Sequence, residues 1–124
     1  MIWRNLAETD LEESLARILS LIENDAVWFS IDKDVLPESE ALTNWDQGQM
    51  PLAAVKKTIE TIGAHKRIIG ADICGEFSPA RHSNLLKRWE AKMDQPQRAD
   101  DAGLLARNES INRELLATID RASR

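Results

Sequence analysis

Two carboxylates, Asp32 and Asp34, close an apolar run of Val27, Trp28, Phe29 and Ile31, with Lys33 between them. In a strand, a spacing of i, i+2 puts both side chains on one face. Like charges held that close repel unless a cation lies between them. Paired carboxylates are hard oxygen ligands suited to Mn²⁺ or Mg²⁺, and open parallel sheets bind their ligands just beyond the carboxyl ends of strands. The chemistry expected of the pair is therefore binding of a divalent ion. The plainer alternative is a strand end carrying two solvated acids. The remaining reactive side chains read more simply. Cys74 has no base near it in sequence and is expected to be a buried small hydrophobe. His65 and His82 are the chain's two histidines, too few for a His-rich metal site, and both read as surface residues.

The elements that must position these groups follow from periodicity. Thr9 to Glu12 reads T-D-L-E, a capping box, and Leu11, Leu15, Ile18 and Ile22 form one helical stripe. Val27 to Ile31 is short, continuously apolar and rich in aromatic and β-branched residues, as expected of a strand buried on both faces of a parallel sheet. Residues 35–50, VLPESEALTNWDQGQM, form a polar loop without a period, and loops of that length are often functional. Pro51 suits the first turn of a helix carrying Leu52, Val55, Ile59 and Ile62, and Gly63 suits its C′ position. RIIGADI, residues 67–73, reads as a second buried strand, with Gly70 allowing close backbone approach. After Pro79 the pattern is helical to the end. One segment holds Leu85, Leu86, Trp89 and Met93. Another holds Leu104, Leu105, Ile111, Leu115, Leu116 and Ile119, with Asp100 or Asn108 as its cap. The expected organisation is a single α/β domain: helix over 1–24, β-loop-α-β over 26–79, helices over 80–124. Trp28 is expected in the core, and Asp72 is expected to hold the turn after its strand.

The chain has 124 residues, a formal charge of −5 and 30% charged residues, so nucleic-acid binding through a basic patch is not expected. No apolar stretch approaches the ~20 residues that span a bilayer, so no membrane association is expected. The N-terminus lacks the features of a signal peptide, and the lone cysteine fits a reducing cytoplasm.

FSIDKDVLP, residues 29–37, resembles the S-I/F/V-D-x-D-x-x-D-P motif of the ureohydrolases, the arginase, agmatinase and formiminoglutamase family. IIGADICGEFSP, residues 68–79, is similar to that family's V-G-x-D-I/V-V-E-x-x-P strand and turn. The two motifs come in the family's order, and the likeness covers roughly residues 10–80. The resemblance implies a binuclear Mn²⁺ site in an arginase-like parallel-sheet fold. It further implies hydrolysis of a C–N bond in a guanidino compound or related linear amidine, with water activated between the two ions. By this likeness Asp32 would bridge both ions, Asp34 would bind one, and Glu76 would pair with the substrate's guanidinium. The sequence departs from the pattern in four places. The third Asp falls at Pro37. Lys33 stands where an apolar residue is usual. Gly75 adds one residue before Glu76. TNWDQGQM replaces a Gly-Thr-Gly-rich turn. A rival likeness, to the haloacid dehalogenase-like phosphatases, rests on D-x-D alone, because the Gly-Thr that should follow is Val35-Leu36.

The family's other metal segments, G-x-D-H and D-x-H-x-D, have no match here, so the chain is expected to correspond to the C-terminal part of such an enzyme. Alone it is expected to bind Mn²⁺ weakly and to be inactive. The non-enzymatic alternative is a fragment that keeps the fold and self-associates. Two parallel strands leave both edges open, so a homo-oligomer is expected, with VWFSI or RIIGADI at or near the contact.

Overall fold

The computed structural model describes residues 10–77 and 102–124. Thr9, Trp3, His82 and the predicted helix of Leu85, Leu86, Trp89 and Met93 lie outside them. The order is α1 (Leu11–Leu21), β1 (Ala26–Asp32), a 3₁₀ turn (Lys33–Val35), α2 (Leu52–Gly63), β2 (Arg67–Cys74) and α3 (Ala102–Ala122). Among the described residues this is an α/β arrangement of three α-helices and a two-stranded parallel sheet.

The capping of α1 falls to Asp10, whose Oδ1 accepts the N–H groups of Glu12 at 2.7 Å and Glu13 at 3.2 Å. Those amides have no partner within the helix, so the carboxylate satisfies donors that would otherwise face water. Only part of the predicted α1 stripe is covered: Leu15 is buried, whereas Ile18 is 42% exposed. The α2 stripe is buried as expected at Val55, Ile59 and Ile62. Gly63 is the last residue of α2 rather than its C′ residue, and a left-handed conformation is not its purpose. A Cβ there would stand 2.7 Å from the Ala122 carbonyl oxygen, so the missing side chain lets α3 close on α2.

The strands do not bury both faces against the described residues. Val27, Phe29, Ile31, Ile68 and Ile73 pack toward Val55, Ile59, Ile111 and Leu115. Trp28, Ser30, Asp32, Asp72 and Cys74 are exposed on the other face. The continuous apolar run misled because Trp28, apolar in type, takes an outward position in the alternation. It is 61% exposed and not in the core. Its ring fills the space over Gly70, where a Cβ would overlap the indole. The register slips between Val27 and Trp28, which pair with Ile68 and Gly70, leaving Ile69 as the extra, exposed residue of a bulge.

The loop after β1 is anchored throughout. Leu36, Ala41, Leu42 and Thr43 are buried. Gln47 Nε2 donates to the carbonyls of Leu36 at 3.1 Å and Ala41 at 2.8 Å. The Gly48 N–H reaches the Asp34 carbonyl at 2.6 Å. Pro51 precedes α2 as its N-cap without a side-chain cap, and Glu40 Oε2 accepts the Leu52 N–H at 2.5 Å instead. Asn108 does not cap α3. It sits inside the helix, buried, and binds both backbone groups of Leu42. Leu105 and Leu116, predicted on the buried stripe, are 49% and 57% exposed; the face that packs inward carries Asn108, Ile111, Leu115 and Thr118.

Candidate metal half-site

β1 ends at Asp32, and the chain turns at once into the 3₁₀ turn. The same-face geometry of a strand therefore does not extend to Asp34. Asp32 caps the turn: its Oδ1 accepts the Asp34 N–H at 3.1 Å. The two acids are nonetheless brought together, by the exit of the parallel neighbour. Gly75 follows β2 with φ +77°, in the left-handed region that glycine tolerates best. A Cβ on it would lie 2.5 Å from Asp32 Oδ1, 2.9 Å from the Lys33 nitrogen and 3.0 Å from Asp34 Oδ1. Both carboxylates thus converge on one backbone position at the carboxyl ends of both strands. Asp34 Oδ1 is buried and has no hydrogen-bond partner among the described residues, a costly state for a carboxylate oxygen unless a donor or cation meets it.

Lys33 is not that cation. Its side chain is fully buried and turns inward, where the ammonium donates to Glu76 Oε1. Asn112 Nδ2 donates to the same oxygen at 2.7 Å. Partial burial pushes the Glu76 carboxyl up, but the hydrogen bonds from Asn112 and Lys33, with the Lys33 charge, outweigh it and hold the carboxyl below its usual value. Glu76 is thus ionised and tied to the 3₁₀ turn and α3, with its side chain 51% exposed. Asn112 was not singled out from sequence, and Asn108 was read there only as a helix cap. The available signal was two asparagines spaced i, i+4, one of them on the apolar face of a helix, where an amide needs a partner.

The other predicted residues take different places. Cys74 is exposed rather than buried. Local desolvation, then the charges of Asp32 and Asp72, push its thiol up, which disfavours the nucleophilic thiolate. Asp72 does not hold the following turn. Its Oδ1 accepts the Trp28 indole N–H at 2.7 Å and its Oδ2 the Ser30 hydroxyl at 3.0 Å. His65 is exposed, with Nδ1 2.9 Å from the Thr61 carbonyl oxygen. Trp45, in the loop after β1, is 75% exposed.

Among the described residues no group of three or more His, Cys, Asp or Glu side chains is arranged to hold a metal ion. Asp32 and Asp34 are two hard donors, one with an orphaned oxygen, and fit part of a Mn²⁺ shell, which takes about six ligands in octahedral oxygen sites. No helix among the described residues is long and apolar enough to cross a membrane.

No protein-family model and no solved structure matches the chain. It is similar to a protein of Thermotoga maritima described as an uncharacterized protein, with 40% identity over 73 residues, 59% of this chain and 28% of the relative. The aligned stretch thus spans less than a third of that relative's length.

Proposed function

We propose that this chain supplies the Asp32 and Asp34 ligands of a ureohydrolase-like, Mn²⁺-dependent hydrolase that cleaves C–N bonds in linear amidines such as guanidino compounds. The observation that carries this reading is the convergence of the two carboxylates on Gly75, with Asp34 Oδ1 buried and unpartnered among the described residues. Bound ions of this kind lower the pKa of a shared water and yield a nucleophile near neutral pH. Asp32 and Asp34 would hold them. Glu76, by the family likeness, would face a planar substrate cation with the carboxylate oxygen that Lys33 and Asn112 do not bind. The remaining ligands come from polypeptide beyond these residues, in keeping with a relative more than three times the length of the aligned stretch.

Calorimetric titration of the chain with Mn²⁺ should show no binding tighter than about 10 μM, or roughly 7 kcal/mol. A tight two-ion site would overturn the half-site reading. In a longer protein that turns over, Asp32→Asn should cost about a hundredfold or more, the scale of losing a key electrostatic group. Near-normal turnover would return Asp32 to a solvated strand end.

A second reading is a non-catalytic chain that keeps the fold and self-associates. It is favoured by the exposure of Trp28 and Ile69 on the open sheet face.

A further inference from the structure

We propose that Lys33 and Asn112 are positioning residues that act through Glu76 to hold Asp32 and Asp34 around Gly75; the proposal rests on reading those two acids as metal ligands.

Lys33 lies between the acids in sequence, yet its side chain is fully buried. A buried ammonium needs a charged or hydrogen-bonded partner, and Lys33 has one in Glu76, adjacent to Gly75. The 3₁₀ turn that carries Asp34 therefore cannot shift without drawing Lys33 off Glu76. Glu76 directly follows Gly75, so holding its carboxylate restrains the backbone at Gly75, which packs against Asp32 Oδ1, the Lys33 nitrogen and Asp34 Oδ1. Asn112 adds a donor from α3 to the same Glu76 oxygen. The exits of both strands are thus clamped to each other and to a helix. The clamp also sets the charge of the site. The ammonium nearest the acids in sequence pairs with Glu76 rather than with Asp32 or Asp34, which leaves the two carboxylates open to an incoming cation. Partners one shell removed from a metal commonly set how well its ligands bind.

The test is Mn²⁺-induced NMR line broadening at the Gly75 amide of the 124-residue chain, in the wild type, Lys33→Met, Lys33→Arg and Asn112→Ala. Coulomb's law alone predicts tighter Mn²⁺ binding in Lys33→Met, which removes a positive charge, and no change in Asn112→Ala. Positioning predicts that both weaken binding by about tenfold or more, with Lys33→Arg retaining most of it. Unchanged or tighter binding in Lys33→Met and Asn112→Ala overturns the proposal. Should Lys33→Met fail to fold, Asn112→Ala decides by itself, because that residue is neutral and only partly buried. An unbroadened Gly75 in the folded wild type would instead sink the metal reading. The metal-free Gly75 amide shift then decides: displacement in Asn112→Ala supports the clamp, and an unmoved resonance overturns it.

Discussion

Asn108, in the middle of α3, binds both backbone groups of Leu42: its Oδ1 accepts the N–H at 3.0 Å and its Nδ2 donates to the carbonyl at 2.6 Å. All of these atoms belong to buried residues. The amide stands in for a strand neighbour, satisfying a stretch of loop backbone that has no ladder of its own. Asn108→Ala would leave a buried N–H and a buried C=O unpaired. The expected destabilisation is about 2–6 kcal/mol, from about 1–3 kcal/mol for each of the two orphaned groups. Urea unfolding measures the loss, and hydrogen exchange should show residues 36–50 losing protection first. A loss below the error of the unfolding curve would mean that water replaces the amide without cost.

Gly75→Ala tests the convergence of the acids. The substitution meets a positive φ of 77° and places a Cβ 2.5 Å from Asp32 Oδ1. Strain of this kind costs about 1–3 kcal/mol, and the side-chain resonances of Asp32 and Asp34 should move with it. Wild-type stability and unmoved carboxyl shifts would argue against the packing described.

Glu76→Gln removes the charge that faces the buried Lys33 ammonium. Breaking a fully buried ion pair costs about 3–5 kcal/mol. Glu76 is half exposed, so water screens the pair and a loss of about 1–2 kcal/mol at neutral pH is expected. The folded carboxyl lies below its usual value of 4.5. Its contribution is therefore fully present above that value and is lost as the pH falls through the lower folded value. Wild type and variant should differ at neutral pH and converge in acid. A gap that persists in acid would show that the charge is not its source.

Trp28→Phe removes one of two donors from Asp72. The hydrogen bonds from Trp28 and then Ser30 hold the Asp72 carboxyl below its usual 3.8 against a smaller opposing effect of desolvation. They favour the ionised form, so their stabilisation is present above 3.8 and is lost as the pH falls through the folded value. In the variant the Asp72 Cγ titration midpoint should rise toward 3.8. A midpoint that stays in place would mean that the indole bond does not persist in solution.

The sheet edges and the face bearing Trp28 and Ile69 lead us to expect a homodimer or larger assembly. Edge strands carry unpaired N–H and C=O groups. Apolar burial is worth ~25 cal/mol per Å², against the entropy of association. Sedimentation at low micromolar concentration is the check. A compact monomer of 14.0 kDa would mean that this chain covers its own strand edges.

The local elements were legible in sequence because they depend on neighbours in the chain. The i, i+3/i+4 stripe of Leu52, Val55, Ile59 and Ile62 specified α2, and the two apolar runs specified β1 and β2 nearly to their ends. The placing of Asp32 and Asp34 at a strand exit was equally readable. What tertiary structure alone decided was which groups meet. Strand alternation fixes two faces without saying which one the helices cover, so Trp28 came out exposed. A polar loop has no period, so nothing in residues 35–50 announced that Asn108 and Gln47 would bury part of it. Gly63, Gly70 and Gly75 each mark a close approach whose partner is distant in sequence: Ala122, Trp28 and the Asp32–Asp34 turn. Lys33 looked like a charge between two acids. Its side chain turns to Glu76 because, in the packed fold, an ammonium taken inside must be matched there, and the only information about that match is three-dimensional.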